Sequence, residues 1–419
     1  MTPPELLKAL FDAAIQAAMP QTRIAPYLPP KPKGRTVVVG VGKSAAAMAK
    51  AVEDAWDDEL EGLVITRYGH QVPTAQIEVI EAGHPVPDHN GVQAAQRIFE
   101  LVTPLTADDL VLCLISGGGT ALFTLPPQGL TLEGLANVSV KLLKSGANIT
   151  EMNAVRKSLS RSSGGRLAAA AYPAQVVSLI ISDVPGDELS VIASGPTVGD
   201  TVTAQDALGI LERYGVKVSA EIRAYLEQDP NPVINPSDPR LQHTQNNLIA
   251  TPQQSLEAAA KVAQDHGYIP LILGDSIEGE AKDVGIVHGG IAKQVIHHQQ
   301  PLSPPCVLLS GGETTVTVSG AGGKGGRNSE FLLSLAVALD GLSGVYALAC
   351  DTDGIDGSEN NAGALITPNT LKQGNEKGLK ASQYLAVHDS YRFFAELEAL
   401  VMTGPTLTNV NDFRAILIE

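Results

Sequence analysis

Short, continuously apolar segments recur along the chain from residue 35 onward, and segments with helical spacing separate them. The apolar segments cover residues 35–40, 62–66, 77–83, 109–116, 175–182, 268–274, 306–313 and 345–354. Continuous rather than alternating hydrophobicity is typical of strands that are buried on both faces, as in parallel sheets. Residues 92–102 and 251–267 are examples of the helical segments between them. We therefore predict an α/β protein built on doubly wound sheets.

Chain length and one proline-rich stretch predict the domain organisation. The 419 residues exceed what one ordinary hydrophobic core takes up, so two domains are expected. Residues 227–247 carry four prolines within ten residues and show no apolar period, which is typical of a domain boundary. We place an N-terminal α/β domain at residues 1–235 and a C-terminal α/β domain at residues 236–419, with the last strand as a candidate to pack back on the first domain.

Charge and composition exclude several classes of protein. The net charge of −16 argues against a nucleic-acid partner, because phosphate backbones are bound by clustered Lys and Arg, although a local basic pocket remains compatible with a small anionic substrate. The sequence has no run of 18 apolar residues, and Glu5, Lys8 and Asp12 interrupt its N-terminal segment, so neither a membrane span nor a signal peptide is predicted. Three widely spaced cysteines predict reduced core residues. We expect a cytoplasmic protein.

The first apolar segment runs into a glycine turn, "RTVVVGVGKSAAAMAKAVED" (residues 35–54). A phosphate-binding P-loop needs a glycine five residues before its Gly-Lys pair, and Val37 stands there. The Gly-x-Gly-x-x-Ala turn of a dinucleotide site is present, but the next strand ends in Thr66 and Arg67 instead of the acid that binds a ribose, which leaves NADP arguable. The third interpretation is a turn that presents Lys43 at a helix N-terminus, where it favours a phosphate or carboxylate.

Four further apolar segments end in loops that combine glycine with hydroxyl or acidic side chains. These loops cover residues 116–120, 182–187, 310–313 and 351–354. In open parallel sheets, ligands bind at the carboxyl ends of strands, so these loops are candidates for a binding site. Three successive glycines after Ser116 predict a concave nest of N–H groups for an anion. The acids in the other loops are candidates to bind Mg²⁺ or to accept a substrate proton.

The segment "GAGGKGGRNSEFLLSLAVAL" (residues 320–339) follows a predicted alternating strand at 314–318. Arg327 and Asn328 fall where the glycine-rich loop turns into a helix. The planar guanidinium of arginine suits phosphate or carboxylate, and glycine flexibility would let the loop close over a ligand. The histidines form no metal-protease motif, and no nucleophile elbow of an esterase is present in the sequence.

Long, ordered motifs give the sequence a resemblance to a known family. They are "VGVGKSAAAMAKA", "SGGGTAL", "MNAVRKSLSRSSGGRLA", "ISDVPGDELSVIASGPTVGD", "SGGETTVTVSGAGGKGGRNSEF", "CDTDGIDGSENNAGA" and "TGPTLTNVNDF". With them the chain resembles the glycerate 2-kinases, a family historically also described as hydroxypyruvate reductases. The resemblance implies a larger Rossmann-like N-terminal domain, a smaller C-terminal α/β domain and an active site in the cleft between them. It also implies transfer of phosphate from ATP, with Mg²⁺, to the 2-hydroxyl of D-glycerate, giving 2-phosphoglycerate and ADP.

The same resemblance carries roles to individual residues. It implies that Lys43 and Arg327 are catalytic and that the loop from Ser116 to Gly119 binds nucleotide phosphates. Together with the loop positions, this gives a set of expected site residues: Lys43, Arg327 and Asp351 in catalysis; Ser116, Gly117, Gly118, Gly119, Asp187, Gly195, Glu313 and Asn328 in binding the nucleotide and its phosphates; Asp353 and Asp183 at Mg²⁺.

Three other functions stay open from the sequence. The first is an NAD(P)H-dependent hydroxypyruvate reductase, which the glycine turn favours and the missing ribose acid disfavours. The second is a kinase of a related small sugar acid. The third is a two-domain protein that only binds small anions. For the kinase, the expected partners are D-glycerate and ATP, with neither nucleic acid nor membrane, and a homodimer is the assembly that we would expect.

Overall fold

The structure is a computed structural model that describes residues 1–229, 232–318 and 322–419. It divides into two compact units. The parallel-sheet unit comprises Arg23–Ser182 and Asp187–Ile249, and the mixed-sheet unit comprises Met1–Thr22, Asp183–Gly186 and Ala250–Glu419. The sequence-based division at residues 235 and 236 differs from this one, because the N-terminal segment groups with the C-terminal half of the chain.

The parallel-sheet unit is built on a six-stranded sheet. In chain order its strands are β1 (Thr36–Val41), β2 (Glu61–Arg67), β3 (Glu78–Ala82), β4 (Leu110–Ile115), β5 (Gln175–Ile181) and β6 (Thr244–Ala250). Their order across the sheet is β3-β2-β1-β4-β5-β6, and the pairs from β3 through β5 are parallel. This is the Rossmann order, in which the direction of winding reverses between β1 and β4. The predicted Rossmann-like α/β fold is confirmed.

The mixed-sheet unit holds a second six-stranded sheet and a two-stranded ribbon. Its strands are β7 (Ile269–Gly274), β8 (Gly279–Glu280), β9 (Cys306–Gly312), β10 (Thr314–Thr315), β11 (Val345–Asp351), β12 (Gly363–Ile366), β13 (Leu400–Val401) and β14 (Asp412–Ile418). The larger sheet has the order β13-β12-β11-β14-β9-β7, and β8 pairs with β10. Only the β7–β9 pair in the larger sheet is parallel among the described residues; the others run antiparallel.

Helices connect and cover these strands. They are α1 (Pro3–Ala17), α2 (Pro20–Arg23), α3 (Ala45–Ala55), α4 (His89–Val102), α5 (Gly119–Leu122), α6 (Leu132–Ser145), α7 (Ile149–Ser158), α8 (Arg166–Ala171), α9 (Ala204–Arg213), α10 (Ala220–Gln228), α11 (Pro252–Asp265), α12 (Ala281–His298), α13 (Arg327–Leu339), α14 (Thr370–Glu376), α15 (Ala381–Ala386) and α16 (Ser390–Glu396).

Helices cover both faces of the mixed sheet, and β14 shows how. Phe413, Ala415 and Leu417 pack with α1 and α11, whereas Ile416 and Ile418 pack with α12 and α13. Phe11 of α1 lies with its ring centroid 5.7 Å from that of Phe413. Burial of both faces explains why these strands are continuously apolar. It also explains why α1 belongs to this unit.

Four sequence-based expectations need correction. The last strand does not join the first domain, because β14 lies between β9 and β11. Doubly wound parallel pairing does not extend to the second sheet. The proline-rich stretch does not separate the two sheets, because β6 follows it and completes the first sheet. Within residues 314–318 only Thr314 and Thr315 form a strand.

Within the described ranges, none of the helices is long and apolar enough to cross a membrane.

Candidate active site

The glycine turn after β1 fixes the backbone of Lys43 at the point where the winding of the sheet reverses. The Lys43 N–H donates to the Gly117 carbonyl at 2.9 Å, which joins the β1 turn to the β4 turn. The Lys43 carbonyl accepts from the Thr66 hydroxyl at 3.3 Å and lies 3.2 Å from Nδ1 of His70. Ligands of open α/β sheets bind at this reversal. The structure therefore places Lys43 and the loop that starts at Ser116 together, as predicted.

The loop from Ser116 to Gly119 is closely packed against its surroundings. Ser116 is fully buried, and its Oγ accepts from the Ser44 N–H at 3.0 Å. Gly118 has a φ of +79°, a left-handed conformation that favours glycine. A Cβ atom at Gly118 would lie 2.9 Å from Nε2 of His84 and 3.3 Å from Cγ of Lys43. The imidazole of His84 thus belongs to the same cluster, which the sequence-based reasoning missed.

A left-handed turn adjoins this loop. Ala193, Ser194 and Gly195 have φ values of +50°, +61° and +59°. Left-handed backbone costs roughly 1–2 kcal/mol at each non-glycine residue, and such strain clusters at functional sites. The Ser194 hydroxyl lies 2.9 Å from that of Thr120, which directly follows the glycine loop. The predicted binding residue Gly195 therefore lies in a turn that supports the glycine loop.

A second cluster surrounds Arg327, the first residue of α13. Its Nε donates to Asp412 at 2.6 Å, Nη1 to Glu313 at 2.9 Å and Nη2 to Asp351 at 2.9 Å. Strand register brings the three carboxylates together, because β14 begins where β9 and β11 end. Asp412 lies opposite Gly312 on one side and opposite Asp351 on the other. Three of the predicted residues, Arg327, Asp351 and Glu313, are therefore in direct contact.

Asp412 is the buried centre of this second cluster. Besides Arg327, it accepts from Nδ2 of Asn328 at 2.8 Å and from Nη2 of Arg414 at 2.5 Å. Both Asp412 and Arg414 are buried, and Arg414 stacks over the ring of Phe331 at 5.2 Å. Neither residue was among those expected. The sequence signal for them was the "NDFR" segment, residues 411–414.

Electrostatics in the Arg327 cluster follow from burial and pairing. Burial raises the pKa of the Asp412 carboxyl, but Arg327 and Arg414 outweigh burial and hold that pKa below its usual value. Burial lowers the pKa of Arg327, and the carboxylates around it reverse this effect, so the pKa lies well above its usual value. The cluster therefore keeps Arg327 cationic.

Asp356 anchors the start of α13 and with it Arg327. Its carboxylate accepts from the backbone N–H groups of Asn328 and Ser329, both at 2.9 Å, and from the Ser329 hydroxyl at 2.7 Å. Burial raises the pKa of the Asp356 carboxyl. An acid at a helix N-terminus satisfies N–H groups that have no partner within the helix.

The glycine-rich loop before α13 is held in place over residues 323–326. The Gly323 N–H donates to the Val387 carbonyl and the Lys324 N–H to the Asp389 carboxylate, both at 2.8 Å. These two hydrogen bonds fix the loop at residues 323 and 324, and closure of the loop over a ligand stays a prediction. Gly320 and Ala321 of the same loop lie outside the described residues.

The remaining acids that we expected in the site divide between the units. Asp353 accepts from the Ile355 N–H at 2.9 Å and follows Asp351, which accepts from the Asp353 N–H at 3.0 Å. Asp183 accepts from Nδ2 of Asn409 at 2.9 Å, and Asp187 has a left-handed φ of +56°. No group of three or more His, Cys, Asp or Glu with a metal-binding arrangement occurs in the part of the chain that the structure describes.

Two family models match the chain. A model described as a domain of unknown function, DUF4147, matches residues 6–227, and the MOFRL family model matches residues 306–412. A relative from Thermotoga maritima, named D-glycerate 2-kinase, is 42% identical over 419 residues that cover 98% of each chain. The chain belongs to the glycerate 2-kinase family. This confirms the resemblance seen in the motifs.

One solved structure and a second relative were also compared with the chain. A solved structure of glycerate kinase from Thermotoga maritima superposes with a TM-score of 0.89 at 40% sequence identity, covering 99% of both chains. A relative from Agrobacterium vitis, 51% identical over 99% of this chain and 94% of its own length, carries the provisional name hydroxypyruvate reductase. Both names therefore occur among close relatives of the same family.

Proposed function

We propose that the protein is a D-glycerate 2-kinase, which transfers the terminal phosphoryl group of ATP, bound with Mg²⁺, to the 2-hydroxyl of D-glycerate. The products are 2-phosphoglycerate and ADP. The observation that carries this proposal is the joining of Lys43 to the glycine loop of Ser116–Gly119 where the winding of a Rossmann-ordered sheet reverses. The name of the relative at 42% identity supports the choice of substrate.

The Lys43 cluster suits the phosphates of ATP. Its glycine loop brings backbone close to a ligand, and the ammonium group supplies a positive charge beside it. Phosphoryl transfer leaves little covalent work to the protein, so catalysis depends on in-line positioning and on neutralising charge at the transferring group. Lys43 would neutralise this charge, and His84, whose Nε2 would lie 2.9 Å from a Cβ atom at Gly118, is near enough to the glycine loop to help hold the phosphates.

The Arg327 cluster suits the acid substrate. A guanidinium presents a planar set of donors that matches a carboxylate, and its charge does not depend on pH in the physiological range. Asp412 and Asp351 fix the plane of Arg327 by accepting from Nε and Nη2. A substrate held by its carboxylate at a fixed guanidinium has few orientations, and phosphoryl transfer depends on such ordered positioning.

Mg²⁺ would arrive with ATP as part of that substrate. It is usually held by one or two carboxylates, with water and phosphate oxygens completing its shell. The carboxylates of Asp353 and Asp183 supply the hard oxygen ligands that it prefers, so these two side chains fit the ion by their chemistry. Asp353 and Asp183 stay our candidates for direct contact.

One assay tests the proposal. Purified protein with D-glycerate, ATP and Mg²⁺ should release ADP, and a coupled enolase should consume the product, because enolase accepts the 2-isomer and not the 3-isomer. Release of ADP without an enolase signal would contradict transfer to the 2-hydroxyl. The same assay with erythronate or tartronate in place of glycerate tests whether a related sugar acid is the better substrate.

Hydroxypyruvate reduction is the second candidate, because the Rossmann strand order and the name of the relative at 51% identity favour it. Oxidation of NADPH by hydroxypyruvate, with no ADP released from glycerate and ATP, would replace the kinase by the reductase. The predicted homodimer and cytoplasmic location stay predictions.

A further inference from the structure

The three carboxylates around Arg327 differ sharply in their exposure. The side chain of Asp412 is 0% exposed and that of Asp351 is 7% exposed, whereas the side chain of Glu313 is 47% exposed. All three accept from the guanidinium at 2.6–2.9 Å. Arg327 is thus joined at similar distances to two enclosed carboxylates and to one that is about half exposed to solvent.

The two enclosed carboxylates are fixed by further hydrogen bonds. Asp412 also accepts from Asn328 and Arg414, and Asp351 also accepts from the Asp353 N–H. Both residues lie at strand ends in the core of the mixed sheet. Moving either carboxylate would break several buried contacts, so both are permanent partners of Arg327.

Glu313 has fewer hydrogen bonds than the two enclosed carboxylates. It lies between β9 and β10, and over residues 1–229, 232–318 and 322–419 its carboxylate has one hydrogen-bond partner, Nη1 of Arg327. Nη1 carries two protons, and Glu313 is the one acceptor that the described residues give it. The Glu313 side chain is about half exposed and has this one partner, so water can take the place of Arg327 and Glu313 can move into solvent at small cost.

We propose that Glu313 is a displaceable stand-in for the carboxylate of the acid substrate: the substrate takes Nη1 of Arg327 as Glu313 moves out into water. This inference rests on the proposed function, since it concerns the same acid substrate. The exchange replaces one monoanionic carboxylate by another, so the charge around Arg327 does not change. Departure of Glu313 frees both protons of Nη1, while Asp412 and Asp351 hold the other nitrogens. Glu313 therefore competes with the substrate and sets its affinity.

The test is the affinity of Glu313→Gln for a carboxylate that cannot react. The probe is 3-hydroxypropanoate, which has the carboxylate and the terminal hydroxyl of glycerate but no 2-hydroxyl, and binding is followed by calorimetry. We expect Glu313→Gln to bind the probe at least about 2- to 5-fold more tightly, because that factor corresponds to an ion pair in water and Arg327 is the less exposed partner here. In turnover the KM for glycerate should fall by a similar factor, while the KM for ATP stays unchanged.

Glu61→Gln is the matched control. Glu61 pairs with Arg35 at 3.0 Å, with side chains 44% and 52% exposed, in the parallel-sheet unit. This variant should bind the probe as the native protein does. Unchanged or weaker binding by Glu313→Gln would overturn the inference, and so would tighter binding of ATP or inorganic phosphate in place of the carboxylate. Calorimetry needs no turnover, so a native protein that binds the probe but releases no ADP would contradict the proposed kinase without touching this inference.

Discussion

Arg327 and Asp412 are joined by a 2.6 Å hydrogen bond from Nε to Oδ1, and the second oxygen of the same carboxylate accepts from Arg414. Asp412 is thus placed between two guanidinium groups, one of them fully buried. A carboxylate in this position compensates the fully buried charge of Arg414 and the partly buried charge of Arg327. It links the stability of the mixed sheet to the orientation of Arg327.

Replacing Asp412 by Asn should destabilise the protein strongly. Removing one member of a buried ion pair leaves its partner uncompensated and typically costs about 3–5 kcal/mol. We expect a loss of this size in the free energy of unfolding, measured with urea at pH 7. Glu61→Gln removes the exposed pair with Arg35 and should cost at most about 1 kcal/mol. A loss for Asp412→Asn no larger than that of the control would show that Asp412 does not compensate the buried arginines.

The pH dependence of this effect has a definite sign. The pKa of Asp412 is lower in the folded protein than its usual value of 3.8, so folding favours the ionised carboxylate. The stabilisation is fully present above about pH 5 and is lost as the pH falls below 4 toward the folded pKa. The difference in unfolding free energy between native protein and Asp412→Asn should therefore be constant from pH 7 to pH 5 and shrink below pH 4. A difference that grows on acidification would contradict this assignment.

Replacing Lys43 by Ala should abolish most of the turnover without affecting folding. Cationic groups at a transferring phosphoryl are worth on the order of 10³-fold in rate, so we expect kcat for ADP release to fall by about that factor. Lys50→Ala is the control: Lys50 lies on α3 and pairs with Asp54, with both side chains exposed. This variant should keep the native kcat. Lys43→Ala with kcat within tenfold of the native value would remove Lys43 from the catalytic residues.

His288 should make stability depend on pH between about pH 6.5 and pH 4. It is buried, with Nε2 3.0 Å from the Ser310 hydroxyl, and burial lowers its pKa from 6.5 to about 4. The unfolded chain therefore binds a proton between pH 6.5 and 4 that the folded protein does not, so stability is full above pH 6.5 and falls as the pH drops. Between pH 8 and pH 5 this loss should be about 2 kcal/mol.

His288→Gln tests this assignment, because glutamine cannot titrate. Urea unfolding at pH 8 and pH 5 should show a decrease for the native protein that is about 2 kcal/mol larger than that of the variant. His297→Gln is the control, since His297 lies on the exposed side of the same helix. Equal decreases for native protein and His288→Gln would show that His288 takes up its proton in the folded state as readily as in the unfolded chain.

The sequence predicted the strands well because hydrophobicity reports burial. Eight continuously apolar segments correspond to β1, β2, β3, β4, β5, β7, β9 and β11. Strand direction is a different property. β9 and β11 are continuously apolar and buried, yet both run antiparallel to β14, which lies between them, so hydrophobicity revealed their burial and not their direction.

The predicted domain boundary was wrong for a related reason. Proline and the absence of an apolar period mark a loop, and residues 227–247 contain one, but a loop need not separate domains. β6 follows with the polar sequence Thr244 to Asn247 at its start and pairs at the edge of the first sheet. Helix α1 could not be assigned from its sequence either, because its amphipathic face is compatible with any apolar surface until Phe413 is placed beside it.

Candidate site residues could be predicted where a glycine-containing loop follows an apolar segment. Their partners from distant segments of the chain could not. Lys43 and Ser116 follow apolar strands directly, and Arg327 follows a run of glycines. Their partners His84, Asp412 and Arg414 lie far away in the sequence. His84 contacts the glycine loop only through the fold, and Asp412 reaches Arg327 only because β14 is antiparallel.

Gly118 offers a test of the Lys43 cluster that separates function from backbone strain. Its φ is +79°, and Gly129 has a similar φ of +85° in open space, where a Cβ atom would meet no other part of the protein within 4 Å. Alanine at either position should cost about 1–2 kcal/mol of stability, because both become left-handed non-glycine residues. At Gly118 the methyl group would also push against His84 and Lys43.

We therefore expect Gly118→Ala to raise the KM for ATP at least about tenfold and Gly129→Ala to leave it unchanged, as measured by ADP release. Equal KM values for the two variants would show that the side chains of Lys43 and His84 do not need their present positions to bind the nucleotide.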